Sequence, residues 1–273
     1  MVPRSPVPNP QSPLGVFDSG IGGLTVARAL FERLPAESVI DFGDTARVPY
    51  GPKSPDTVRR YSAEILTYLL GRGVKAVVVA CNTSTAHALE SLQAHSPVPV
   101  VGVIEPGARA AVNASKTGRI GVIGTAGTIA SGAYERAIKA LRADAVVSAN
   151  ACPLFVPLVE EGWFEHAATE LIAREYLGPL QRAGVDALVL GCTHYPLLKP
   201  LLSRVMGPGV TLVDSAAETA TVVAQELETR GLLASGGSHE HRFVVSDDEP
   251  HFRKVGARFL GEKVKQVEVV PLG

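Results

Sequence analysis

Short apolar runs rich in β-branched residues recur along the chain, each stopped by Gly, Pro or Asp: residues 14–17, 39–42, 74–80, 98–103, 119–123, 145–148, 187–190 and 211–213. They are apolar almost throughout and do not alternate with polar positions, the pattern of strands covered on both faces of a parallel sheet. Stretches with helical periodicity lie between them, at 24–34, 55–70, 83–94, 106–115, 128–141, 164–180, 196–205 and 216–230. The second of these opens with Ser54 as N-cap and Pro55 at the first helical position. Residues 241–246, 250–260 and 267–270 read as a final strand–helix–strand unit. Strict alternation of this kind is the signature of an α/β fold with mostly parallel sheets.

The pattern repeats at a larger scale. Gly73-Val-Lys-Ala-Val-Val-Val-Ala-Cys81-Asn82-Thr83 matches Gly184-Val-Asp-Ala-Leu-Val-Leu-Gly-Cys192-Thr193-His194 at an offset of 192 − 81 = 111. Gly15-Val-Phe-Asp18-Ser19-Gly20 echoes Gly121-Val-Ile-Gly124-Thr125-Ala126 at an offset of 106. The chain therefore reads as two similar α/β lobes. Residues 14–97 with 208–273 form the first, 98–207 the second, and the five prolines within 1–13 mark an extended or disordered tail.

Composition narrows the function. Twenty-six Lys and Arg against 27 Asp and Glu give a formal charge of −1, without the basic excess that nucleic acid or an anionic membrane surface selects. The longest apolar runs are too short to cross a bilayer. Three cysteines with no CxxC argue against a disulfide framework and for a reducing cytoplasm. The seven histidines show no metal-ligand spacing, so no metal is expected.

Ligands of open α/β sheets bind beyond the carboxyl ends of the strands. Collected there are Asp18-Ser19, Asp44-Thr45, Cys81-Asn82-Thr83, Thr125 and Cys192-Thr193-His194. If the lobes face each other, two thiols point into one cleft from opposite sides. One can remove a proton from a carbon while the other delivers one to the opposite face, which is what inversion of a stereocentre needs. Strand-to-helix turns place both cysteines near helix N-termini, where the thiolate is favoured. Asp18 and His194 are candidates to bias those protons. Cys152, without a polar escort, reads as buried filler. Gly20-Ile-Gly22-Gly23 lacks dinucleotide spacing; the glycines either admit a small carboxylate or make the turn. Pro49-Tyr50-Gly51 is an ordinary turn or a rim over the substrate, and Glu160-Glu161 is most simply a solvated acidic pair.

At these residues the chain closely resembles the cofactor-independent glutamate racemases. The resemblance is carried by Gly15-Val-Phe-Asp-Ser-Gly-Ile-Gly-Gly-Leu-Thr25, Val48-Pro-Tyr-Gly51, Ala80-Cys-Asn-Thr-Ser-Thr-Ala86 and Leu190-Gly-Cys-Thr-His-Tyr-Pro-Leu-Leu198. Gly102-Val-Ile-Glu-Pro-Gly107, Ala151-Cys-Pro-Leu-Phe-Val-Pro-Leu-Val-Glu160 and Val213-Asp-Ser-Ala216 extend it, over roughly residues 14–230 in all. It implies two flavodoxin-like lobes with the active site between them, and conversion of L-glutamate to D-glutamate for the cell wall without pyridoxal phosphate or metal. Cys81 and Cys192 would be the acid/base pair, assisted by Asp18, His194 and Glu160. Ser19, Tyr50, Gly51, Asn82, Thr83 and Thr193, with Asp18 and His194, would hold the substrate. A homodimer is compatible with the chain, and neither nucleic acid nor membrane is expected as a partner. Rival readings are an aspartate or hydantoin racemase, a cysteine hydrolase using Cys192 and His194, and a two-lobed receptor without chemistry.

Overall fold

The computed structural model describes residues 8–236, 239–261, 264 and 266–272. Its first half runs β1 (Leu14–Asp18), α1 (Leu24–Arg33), β2 (Val39–Gly43), α2 (Pro55–Gly71), β3 (Ala76–Val79), α3 (Asn82–His95), β4 (Val100–Gly102), α4 (Ile104–Ala114), β5 (Arg119–Gly124), α5 (Ala126–Ala130) and α6 (Ala133–Leu141). It continues through β6 (Val146–Ala151), α7 (Phe155–Glu160), α8 (Ala167–Arg182), β7 (Ala187–Gly191), α9 (Lys199–Met206), β8 (Thr211–Val213), α10 (Ala216–Thr229), β9 (His241–Val245), α11 (Glu249–Leu260) and β10 (Val267–Val269). Two sheets result, ordered β10-β9-β2-β1-β3-β4 and β6-β5-β7-β8, with every described strand pair parallel.

The duplication is visible in the strand order. β2-β1-β3-β4 in one sheet corresponds to β6-β5-β7-β8 in the other, so β3 and β7, which precede the two cysteines, occupy equivalent places. β1, β2, β3 and β7 are buried along their whole length, which accounts for their predominantly apolar sequences; Asp41 within β2 and Asp18 at the end of β1 are buried with them.

The lobe boundaries at 98 and 208 need correction. β4 pairs with β3 (Val77↔Val100), so it closes the first sheet; β8 pairs with β7 (Ala187↔Thr211), so it closes the second. Each crossing therefore falls after an edge strand. α4 packs Ile104, Ala108 and Ala111 into the second lobe beside Ile120, Val122 and Tyr134. α10 returns Ala220, Val223 and Leu227 to the first lobe beside Leu14 and Val78. Apolar periodicity marks the strands but does not say which sheet an edge strand joins.

Other departures have local causes. The stretch 128–141 is two helices, broken where Gly132 turns left-handed at φ 65°. The helix expected from 164 starts at Ala167, N-capped by His166 Nδ1 accepting from Ala168 N–H at 3.1 Å. The tail lies partly outside the described residues, but its end is pinned: Lys75 Nζ donates to the Pro10 carbonyl at 2.6 Å and Lys75 N–H to that of Pro13 at 2.9 Å.

That lysine is wholly buried and paired at 2.5 Å with Glu37, itself 2% exposed. Lys75 also donates to Leu232 O, and Glu37 accepts from Ala234 N–H, so the pair ties the segment after α10 to the amino ends of the central strands. Lys75→Met leaves a buried carboxylate without its counter-ion and is expected to cost about 3–5 kcal/mol of unfolding free energy. Urea denaturation checks this; a loss below about 1 kcal/mol would contradict the reading of the pair as fully desolvated.

Candidate active site

A cavity of about 370 Å³ opens where the carboxyl ends of the two sheets meet. The first lobe lines it with Ser19, Gly20, Tyr50, Gly51, Cys81, Asn82 and Thr83, the second with Thr125, Pro153, Val156, Glu160, Cys192, Thr193 and His194. Another cleft, about 440 Å³, lies at the β4 edge between α3, α4 and α10 and has no cysteine or histidine in its lining. The chemistry places the site in the former. Among the described residues, no group of three or more His, Cys, Asp and Glu could hold a metal ion.

Cys81 is the N-cap of α3: its Sγ accepts from Ser84 N–H at 3.4 Å and lies 3.5 Å from Ser19 Oγ. Sequence position suggested that the helix N-terminus would favour its thiolate. Burial dominates instead, reinforced by the charge of Asp18, and the pKa rises to about 11 against the lowering hydrogen bonds of Ser19 and Ser84. Cys192, 7% exposed, follows β7 and leads into a single 3₁₀ turn, Tyr195–Leu198, before α9. It therefore lacks the α-helix N-terminus expected for it. Its Sγ instead lies 4.0 Å from Nδ1 of His194.

His194 joins that thiol to a carboxylate. Its Nε2 is 2.9 Å from Glu160 Oε1, the last residue of α7. Burial opposes charging the imidazole, but hydrogen bonds and charges from Cys192 and Glu160 together outweigh it and raise the pKa to about 10. The raised value favours the charged form of the ring, which lies between Cys192 and Glu160. Burial likewise works against ionising Glu160, and His194 overcomes it, holding the carboxyl below its ordinary value. Glu160 is thus no solvated acid, whereas Glu161 is exposed.

Asp18 is buried at the end of β1, with Oδ2 accepting from Gly20 N–H at 3.0 Å and Oδ1 from the Thr193 hydroxyl at 3.4 Å. Burial pushes its pKa up, against the charge of His194 and the N–H groups of Gly20, Gly23 and Ser19. The glycines after it serve close approach. A methyl on Gly22 would collide with Thr193 Oγ1 and the His194 ring, and one on Gly23 would stand 2.5 Å from Asp18 Cβ.

Several expected substrate contacts are already engaged across the cleft. The Thr83 hydroxyl is 2.9 Å from that of Thr125 and 3.1 Å from that of Thr128, and Asn82 Oδ1 accepts from Tyr134 at 2.7 Å. The Gly51 carbonyl accepts from Gly127 N–H at 2.8 Å. The Tyr50 hydroxyl, buried, donates to Asp44, whose other oxygen accepts from Ser246 at 2.8 Å. Burial and then the charge of Asp44 push Tyr50 far above its usual pKa, so it stays neutral and Asp44 holds the rim in place. Cys152 is fully buried, and burial raises its pKa too. Thr128, Tyr134, Val156 and the short helix α7 were not legible as site elements. Only the Ala151–Glu160 block hinted at the last.

Comparisons with known proteins show relatives that span both lobes. The Asp/Glu/Hydantoin racemase family pattern matches residues 15–223. A glutamate racemase of Geobacter metallireducens is 54% identical over 264 residues, 96% of this chain and 98% of its own length. The crystal structure of glutamate racemase isoform RacE1 from Bacillus anthracis superposes with a TM-score of 0.93 at 41% identity, covering 96% of this chain and 98% of that one. Glutamate racemase from Francisella tularensis, solved in complex with D-glutamate, gives 0.90 at 38% identity with the same coverage. With two thiols converging on one cavity and a family pattern spanning both lobes, this chain belongs to the Asp/Glu/Hydantoin racemase family.

Proposed function

We propose that the chain interconverts L-glutamate and D-glutamate, with Cys192 removing the α-proton of the L-enantiomer and Cys81 that of the D-enantiomer. The observation that carries this reading is the pair of thiols lining one cavity from equivalent strand ends of two duplicated lobes. Near-full-length identity to glutamate racemases favours glutamate over aspartate or hydantoin as substrate. A hydrolase would use one thiol and leave the other without a role.

The difficult step is acidity, since an α-proton beside a carboxylate is far weaker than a thiol. The carbanion must be stabilised as it forms, by donors already aimed at the α-carboxylate and by exclusion of water. Thr83, Asn82 and Ser19 supply polar groups on one wall and Thr193 on the other; the bonds across the cleft hold the walls together. His194 lies between Cys192 and Glu160, placed to assist proton transfer at that sulfur, and Glu160 holds the ring. On the Cys81 side, Asp18 and Ser19 bias the proton. Asp18 also offers a negative partner for the substrate ammonium.

As further parts of the reading, the D-glutamate made would enter peptidoglycan, and the protein would act in the cytoplasm as a homodimer. No helix among the described residues is long and apolar enough to cross a membrane.

Incubating the purified protein with L-glutamate in D2O is expected to abolish optical rotation while deuterium enters the α-position. Rotation that stays constant, or that falls with the α-hydrogen retained, would refute it.

A further inference from the structure

Helix α11 follows a strand of the first sheet, yet its last turn reaches the His194–Glu160 pair of the second lobe. Arg258 Nη1 donates to the main-chain oxygen of Glu160 at 2.8 Å, and its guanidinium lies 5.8 Å from the centre of the Phe164 ring. The Phe259 ring packs T-shaped against the His194 imidazole, with centroids 5.3 Å apart and planes at 83°. Gly162, left-handed at φ 80°, leaves the room the guanidinium fills: a methyl there would stand 2.8 Å from Arg258 Nη1.

We propose that Arg258 and Phe259 are positioning residues for proton transfer at Cys192, holding the second lobe's His194 and Glu160 in line with the thiol from the first lobe. This rests on the reading of Cys192 as one of the two bases.

The two nitrogens of His194 are directed at Cys192 and Glu160, but two contacts in the ring plane leave the ring free to tip. The Phe259 ring, packed nearly at right angles against it, removes that freedom. Glu160 needs a similar restraint, since it ends a helix of six residues that has no side-chain N-cap. Its carbonyl is one of the acceptors a helix terminus leaves without an intrahelical donor, and a guanidinium there also opposes the partial negative charge of the terminus. α11 is built to hold position. Asp248 caps its start by accepting from His251 N–H, Gly261 ends it left-handed, and Phe252, Val255 and Phe259 are buried along it. Those side chains share an apolar cluster with Leu24 of the first lobe and with Cys192, Tyr195 and Leu198 of the second. The base on one lobe is thus aligned by a helix of the other, so alignment depends on the lobes being together.

In the reaction, the Cα–H bond breaks toward Cys192 sulfur and its electron pair stays on Cα, spread into the carboxylate. The Cys81 thiol then delivers its proton to the opposite face. Loosening His194 raises the barrier for transfer at Cys192 and leaves that at Cys81 alone.

Arg258→Met should therefore lower kcat/KM on the order of tenfold to a hundredfold. The loss must be equal for both enantiomers, because their ratio is fixed by the equilibrium constant. The discriminating readout is the primary deuterium isotope effect with α-deuterated substrate. It should grow from L-glutamate, where Cys192 breaks the labelled bond, and shrink from D-glutamate, where Cys81 does. Arg258→Lys, which keeps charge and one donor, should lie between wild type and Arg258→Met; if the methionine variant is not recovered folded, the same isotope measurement on the lysine variant decides. Isotope effects that stay balanced in a slowed variant, or a rate that does not change, would overturn the proposal. Cys192→Ser measured alongside separates the levels. If it is inactive while Arg258→Met stays balanced, the positioning role alone fails; if it is active, the two-thiol reading fails first.

Discussion

Cys192→Ser and Cys81→Ser are each expected to lower racemisation on the order of a thousandfold or more while leaving a folded protein. General-base catalysis contributes roughly 10²–10⁴-fold, and a serine hydroxyl is a far weaker base than a thiolate. A thousandfold loss corresponds to about 4 kcal/mol of barrier. Stability should change much less. Each substitution changes one side-chain atom, and the contacts it weakens are already long: 3.4 Å to Ser84 N–H and 3.5 Å to Ser19 at position 81, and 4.0 Å to His194 at position 192. The variants should also differ from each other as mirror images. With Cys192 lost, any residual α-hydrogen exchange in D2O should be confined to D-glutamate; with Cys81 lost, to L-glutamate. Optical rotation measures the first effect and proton magnetic resonance of the α-position the second. One variant with near-normal rates in both directions would end the two-thiol scheme.

That pair of residues was legible in the sequence because a duplicated strand leaves a duplicated mark. The runs before Cys81 and Cys192 align position for position without a gap, and parallel sheets put such positions at one end of the molecule. The central strands were equally plain, since burial on both faces leaves β1, β3 and β7 almost wholly apolar. What stayed hidden depends on contacts between distant segments. By its own neighbours Glu160 looked solvated, and only the family resemblance offered it a role, because its partner, His194, is 34 residues away and α7 is too short to show periodicity. Gly22 read as room for a small carboxylate or as part of a turn, whereas in the fold it lets the turn before α1 abut Thr193 and His194 from the other lobe. The lobe boundaries failed for the same reason: β4 and β8 are three-residue strands whose sheet is decided by pairing. Thr125 and Thr83 were visible as polar strand-end residues, but that they meet across the cleft was not.

The electrostatics of Cys81 lead to the second large effect. Helix N-termini lower thiol pKa values, and on that ground alone Cys81 should be reactive at neutral pH. Burial is the larger influence here, Asp18 adds to it, and the pKa stands at about 11. Raising a thiol's pKa stabilises its protonated form, so below pH 11 the thiolate fraction grows about tenfold per pH unit. Alkylation of Cys81 by iodoacetamide in the substrate-free protein should therefore accelerate about a hundredfold between pH 7 and pH 9, with no plateau in that interval. Peptide mapping by mass spectrometry resolves Cys81 from Cys152 and Cys192. Asp18→Asn removes the second of the two raising influences while leaving burial in place, so the Cys81 pKa should fall and its alkylation at pH 8 should quicken. Racemisation in that variant should fall, because the carboxylate serving the substrate ammonium and the proton traffic is gone. The two changes run in opposite directions, which a general loosening of the site would not produce in the isolated Cys81 rate without also exposing Cys152. A plateau below pH 9, or slower alkylation in Asp18→Asn, would show that the helix terminus governs the thiol and that burial does not.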